Sequence, residues 1–205
     1  MNYELFENFM KNFYLEYNEF ISQNVNSRDD TGVVLRLHLL SEQVIENFIC
    51  AQCNQPNMFW FIEKSKKEKI TISYDHKLKM AKTLGLPDAI YKVFARLNKM
   101  RNMLAHRVGD VTLNMSIFEG LSDIVKNEIE PKMPFPLDNT GLGTHNELWE
   151  NNKTDLMFSN ASSECKKLII IFHYTIFYLW WNQNKKNIKP NTEDCLGLGV
   201  GAAKC

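Results

Sequence analysis

Glycine and proline are scarce, nine and six in 205 residues. A chain so poor in turn formers has few places to reverse direction, so its elements are long. Thirteen phenylalanines and seven tyrosines set in periodic segments then point to an all-α protein. Net charge is also lacking, with 24 basic residues against 24 acidic. No positive field would draw nucleic acid in from a distance, which excludes a promiscuous RNA coater and leaves only a local patch for RNA. Cysteine is sparse and odd in number, five in all, so a disulfide scaffold is excluded and a reducing, cytoplasmic location is expected. The lone Cys50-Ala-Gln-Cys53 would need two more ligands to hold zinc; the expectation is helix-end or buried thiols, with no metal and no cofactor. The start, Met1-Asn-Tyr-Glu-Leu-Phe-Glu, has neither the basic region nor the apolar core of a signal peptide. The longest apolar run, 168–181, falls short of the roughly 20 residues a bilayer needs, so no membrane span is expected.

What is present is organised around residues 96–107, Arg-Leu-Asn-Lys-Met-Arg-Asn-Met-Leu-Ala-His-Arg. Pro87 and Asp88 open a helix there. Ile90, Val93, Phe94, Leu97, Met100, Leu104 and Val108 fall within one apolar stripe at 100° per residue. Arg101 lies near the middle of that stripe, Asn102 on its flank, and His106 one turn further on the same side. A guanidinium facing the core needs an anion or water, because an unpaired buried charge is too costly. The bland alternative makes Arg101 a structural ion-pair partner and His106 an exposed helix-end histidine.

Upstream, residues 2–24 read as an amphipathic helix with Tyr3, Phe6, Met10, Phe13, Tyr17, Phe20 and Ile21 on one face. Asn26 to Gly32 break it, and a second helix runs from about Thr31 to Cys53 along Val33, Leu37, Leu40, Val44 and Phe48. His38 and Glu42, four apart, are placed to share a partner. Glu42 is the anion expected for Arg101, with Glu46 competing. Residues 54–72 hold Pro56, the aromatics Met58-Phe-Trp-Phe61, lysines 64, 66, 67 and 69, and a brief β-like Ile70-Thr-Ile72. They read either as a core lid or as a secondary RNA contact. Ser73 caps a short helix that Gly85 ends. Downstream, a helix is expected over 114–130, stopped by Pro131, then a long loop through 152 that contains His145. Residues 168–181 form a helix apolar all round, destined for the core or an oligomer interface. The plan is one helical domain over 1–182 and a tail over 183–205 whose glycines, with no strand before them, make no phosphate loop.

Arg101-Asn102-Met103-Leu104-Ala105-His106 resembles the R-N-x-x-x-H form of the HEPN superfamily signature. Leu78, Ala81, Leu84-Gly85-Leu86 and Leu97-Asn98 resemble the approach to it in the mannitol-repressor-like branch; the likeness covers roughly residues 30–110. It implies an HEPN-like helical bundle in which the motif helix and its neighbour form an antiparallel hairpin, with extra N- and C-terminal helices here. It implies a metal-independent endoribonuclease that leaves a 2′,3′-cyclic phosphate and a 5′-OH, working as a homodimer that pairs two motifs. A toxin or phage-defence setting, with an antitoxin or regulatory protein as partner, follows from the family alone. Catalytic roles carry over to Arg101, Asn102, His106 and, from the preceding helix, Glu42. Lys99, Arg96 and Arg107, with Lys92, offer positive charge to RNA. The residue types suit the chemistry: imidazole transfers protons near neutrality, and an arginine fork matches the charge growing on phosphoryl oxygens. The rival reading is a catalytically silent HEPN-like regulatory or protein-interaction module in which these residues are structural remnants.

Overall fold

The computed structural model describes residues 1–25, 27, 29–63, 66–105, 115–142 and 156–185. It is mostly helical. In chain order the elements are α1 (Tyr3–Asn24), α2 (Asp30–Cys53), β1 (Trp60–Glu63), β2 (Lys66–Lys69), α3 (Tyr74–Thr83), α4 (Asp88–Ala105), α5 (Met115–Ile124), β3 (Gly141–Leu142), β4 (Leu156–Met157) and α6 (Glu164–Asn184). The chain divides into two compact units, residues 1–20 with 34–107 and residues 21–33 with 108–205. Helices α1 and α2 each run from one unit into the other.

In the first unit, α1 buries the stripe that its spacing predicts, from Phe6 and Met10 through Phe13, Tyr17 and Phe20; only Tyr3 stays open. The rings of Phe13 and Tyr17 stack at 5.7 Å and those of Tyr17 and Phe20 at 6.0 Å, so the ridge is nearly continuous aromatic surface. Helix α2 is buried on a wider face than one stripe, adding Val34, Ile45 and Ile49 to Leu37, Val44 and Phe48. Its first turn, which belongs to the second unit, is held by Asp29, whose Oδ1 accepts the Gly32 N–H at 2.8 Å. That carboxylate sits where a Cβ on residue 32 would stand, so a glycine there permits the cap.

Helices α3 and α4 form the antiparallel hairpin expected on both sides of Gly85. Ser73 accepts from the His76 N–H to start α3. At its end the Leu86 N–H reaches Ala81 O at 2.9 Å and the Gly85 N–H reaches Lys82 O at 3.1 Å, the paired bonds of a Schellman motif. Gly85 supplies the required φ of +98° and Leu86 tucks into the core behind it. The Pro87 carbonyl then accepts the first α4 bond, from Tyr91 N–H at 3.0 Å. Along α4, Ile90, Val93, Phe94, Leu97, Met100 and Leu104 are all buried; Val108 lies outside the described residues. The ladder falls earlier than Ile70–Ile72: Trp60 pairs with Lys69 and Glu63 with Lys66, in antiparallel register.

In the second unit, α5 ends near the expected proline by widening. The Glu130 N–H bonds to the Val125 carbonyl, a π turn over Val125–Ile129, and Pro131 follows inside a 3₁₀ turn. Both Val125 and Ile129 are buried. Ser163 caps α6 by accepting from the Lys166 N–H at 3.2 Å. Every residue from Leu168 to Leu179 is buried within the single chain, the core placement among the two that the all-round apolar pattern allows; Trp180 and Trp181 at its end are half-open. Polar groups in so apolar a helix turn inward. Thr175 donates to its own helix at Ile171 O (2.8 Å), and Tyr174 donates to Phe135 O at 2.6 Å. No described helix is long and apolar enough to cross a membrane.

Two measurements test these assignments. An alanine at residue 85 meets no neighbour, so its cost is the left-handed backbone alone. Gly85→Ala is expected to destabilise the fold by about 1 kcal/mol in urea melts, the strain of about 1–2 kcal/mol offset in part by a stiffer unfolded chain. Burial lowers the His173 pKa to about 4. The unfolded chain therefore takes up that proton first as pH falls, and stability declines between about pH 6.5 and pH 4, by about 3 kcal/mol in all. His173→Gln should flatten that interval relative to the parent; parallel profiles would refute the assignment.

Candidate functional site

The chemistry-bearing residues of the first unit meet where α2 faces the α3–α4 hairpin. On α2, His38, Glu42 and Glu46 recur at four-residue steps and so share one side of the helix. Asn98 on α4 reaches across to this side. Its Nδ2 donates to Asp75 Oδ1 on α3 at 2.9 Å, which turns its Oδ1 toward His38 Nε2 at 3.0 Å. A carboxylate only accepts, so the amide orientation is forced and His38 must carry its proton on Nε2. The imidazole stacks on the Tyr74 ring with centroids 4.2 Å apart. Ser41 donates to His38 O at 2.7 Å, and the single Tyr74 hydroxyl proton is shared between Ser41 Oγ at 2.9 Å and Phe94 O at 3.3 Å.

One turn along α2 the seam becomes ionic. Lys77 of α3, its side chain only 3 % exposed, donates to Glu42 Oε1 at 2.6 Å and Glu46 Oε1 at 2.5 Å. Its Nζ also lies 5.5 Å from the centre of the Phe59 ring. Lys69 at the end of β2 closes the set on Glu46 at 2.9 Å. Burial opposes the Lys77 charge, yet the two carboxylates outweigh it and hold the pKa above the ordinary lysine value.

Two expectations are corrected here. Arg101 is exposed, although its wheel position lies within the apolar stripe. In the last turns of α4 the long side chain reaches water, which costs less than desolvating a guanidinium and a partner. Glu42 is not its anion: Glu42 and its competitor Glu46 are both taken by Lys77, and His38 and Glu42 have separate partners. Among the described residues, the hydrogen-bond partner of Arg101 is Asn102, whose Oδ1 accepts from Nη1 at 2.9 Å. Arg101 and Asn102 thus stand together at the surface, one turn beyond Asn98. Lys99 is exposed and Arg96 half-buried, at successive three-residue steps back along the helix from Asn102. His106, Arg107 and His145 lie outside the described residues.

No family model, curated protein or solved structure matches the chain. The site therefore stands on its own geometry. Burial lowers the His38 pKa; the Asn98 bond and the Glu42 charge pull it up, and the Arg101 charge adds to the lowering. A neutral His38 fixed as a donor to Asn98 holds one amide in place, and Asn98 in turn carries the α4 surface on which Arg101 and Asn102 sit.

Sequence reasoning singled out His38 but set it with Glu42, and it missed Asp75, the bridging role of Asn98 and the buried Lys77. One signal was present: Asn98 is a poor helix former in mid-helix, where a side-chain hydrogen bond can offset the low propensity. Asn98→Ala removes partners from both His38 and Asp75 and is expected to cost about 1–3 kcal/mol. Asn98→Asp should cost more by setting a second carboxylate against Asp75. Chemical denaturation at pH 7 gives the order, and an aspartate variant as stable as the parent would contradict the bridging role.

Proposed function

We propose that the chain is a metal-independent endoribonuclease of HEPN type. The observation that supports this reading is the exposed Arg101 beside Asn102, with a guanidinium that no described carboxylate neutralises. An arginine kept only for the fold would be expected to have a buried anion, whereas this one is open to a phosphodiester. Its remaining N–H groups match the non-bridging oxygens as charge grows on them. Asn102 holds one arm of the fork. The sequence sets His106 one turn further, where an imidazole can take the 2′-OH proton or protonate the 5′-oxygen as the P–O bond breaks. The attacking 2′-oxygen closes a 2′,3′-cyclic phosphate and the leaving strand ends in a 5′-OH. Two proton transfers call for two acid–base groups, which a homodimer pairing its motifs would provide. Lys99 and Arg96 lend charge along the same helix. Glu42 has no place in the chemistry of this version; its carboxylate serves Lys77.

A second reading, a catalytically silent interaction module, is favoured by a different observation. Leu35 and Leu39 lie one turn apart on α2 with Leu39 63 % exposed, an apolar ridge suited to a protein partner such as a regulator or an antitoxin.

Cleavage of RNA in EDTA separates the two. His106→Ala and Arg101→Ala should each lower the rate by at least about a hundredfold. Arg101→Lys should fail as well, since an ammonium cannot replace the planar fork. Because Arg101 is exposed, its alanine variant should melt within about 0.5 kcal/mol of the parent. Undiminished cleavage by His106→Ala would end the nuclease reading and leave the silent module.

A further inference from the structure

Cys50 and Cys53 share the last turn of α2, and both are free thiols. Three residues apart on a helix, their Cα atoms lie about 5 Å from one another, inside the window of about 4.4–6.8 Å that a disulfide spans. Cys50 is buried, whereas Cys53 is only half-buried. The same turn anchors the start of α1. Asn2 caps α1, its Oδ1 accepting the Leu5 N–H at 3.0 Å and its carbonyl the Phe6 N–H at 3.1 Å. It is also tied twice to the end of α2: its N–H donates to Ala51 O at 2.9 Å and its Nδ2 to Asn54 Oδ1 at 2.7 Å. Asn54 takes the left-handed backbone that ends α2, with φ +53°. Its N–H bonds to Ala51 O at 3.4 Å, and the Gln55 N–H bonds to Cys50 O at 2.9 Å. The carbonyls that close α2 and hold α1 therefore belong to Cys50 and Ala51, within the C-x-x-C itself.

We propose that Cys50 and Cys53 are a site of reversible oxidation by peroxide, and that closing their disulfide loosens the first turn of α1. Peroxide meets the more open Cys53 first: its sulfur takes one oxygen to become a sulfenic acid, and one water leaves. The Cys50 sulfur then attacks the Cys53 sulfur. The S–S bond forms, the S–OH bond breaks, and hydroxide departs with the Cys50 proton as a second water. Two thiols and one peroxide thus give one disulfide and two waters. Burial raises the Cys50 pKa against the pull of the Met58 N–H, and the charges of Glu46 and Cys53 add to the rise, so Cys50 suits the second step and not the first. The negative end of the helix dipole disfavours a thiolate here, which keeps the reaction slow. Cβ atoms three residues apart on a helix are about 5–6 Å apart, and a disulfide needs about 3.5–4.5 Å. The turn must tighten to close that gap, and the Cys50 and Ala51 carbonyls rotate with it, away from Gln55, Asn54 and Asn2.

The full chain is treated with hydrogen peroxide, blocked with a thiol alkylator and mapped by mass spectrometry, and amide hydrogen exchange is followed along α1. The peptide holding both cysteines should lose two hydrogens, escape alkylation and regain both thiols with dithiothreitol. In the oxidised chain the Leu5 and Phe6 amides should exchange at least about tenfold faster, while the interior of α4 keeps its protection. Cys50→Ala and Cys53→Ser should each abolish both changes. Residue 53 is half-buried, so the serine variant serves even where the alanine disturbs packing. In Cys50→Ala the sulfenic acid should persist at Cys53 and be captured by dimedone. Unchanged thiols would overturn the inference, as would bonding of either cysteine to Cys165, Cys195 or Cys205. So would a Cys50–Cys53 disulfide that leaves Leu5 and Phe6 as protected as before. Equal acceleration in Cys53→Ser would also overturn it, because the loosening would then come from methionine oxidation.

Discussion

The inner side of α2 carries an imidazole, a hydroxyl and two carboxylates into the packed interior of the first unit, and each must find a partner there. Burying such groups unsatisfied costs as much as several good apolar contacts supply, so the α3–α4 hairpin is constrained to one placement. Asn98 answers His38, Tyr74 answers Ser41, and Lys77 answers both glutamates. Apolar packing alone tolerates small slips along a helix, whereas this set of bonds does not. The turn at Gly85 and the start of α4 after Pro87 set the length of the hairpin, and the polar seam sets its depth.

That division explains what the residues disclosed in advance. The stripes of α1 and α4 were legible because burial follows the 3.6-residue period wherever one face meets the core. Gly85, Ser73 and Pro87 were legible because left-handed backbone, an orphan N–H and a fixed φ each demand a residue type. Partner choice was not. His38 and Glu42 share a side of one helix, yet which residue answers each depends on how α3 lies against α2, a long-range fact with no local mark. Arg101 shows the limit of the helical wheel: the wheel places a Cβ, and a side chain as long as arginine can carry its charge back to water from an inward-leaning position. The motif on α4 was visible as residue types and spacing, while the amide that supports it was visible only as an asparagine out of place.

The second unit follows the opposite logic. Helix α6 has no polar face to orient it, so it is wrapped on every side from Leu168 to Leu179. Thr175 bonds to its own backbone at Ile171, and Tyr174 to one loop carbonyl at Phe135. Whereas the first unit is fixed by matched polar partners, the second is fixed by enclosure, and its buried histidine is the group expected to make it sensitive to acid.

Lys77 has a consequence for how the protein can be watched. An ammonium held between two carboxylates, its side chain 3 % exposed, is shielded from amine-modifying reagents, while Lys99 on the outer surface is open to them. Acylation at residue 77 can proceed only when α3 lifts from α2, so the slow appearance of that one adduct in a mass spectrum is a built-in clock for the opening of the seam.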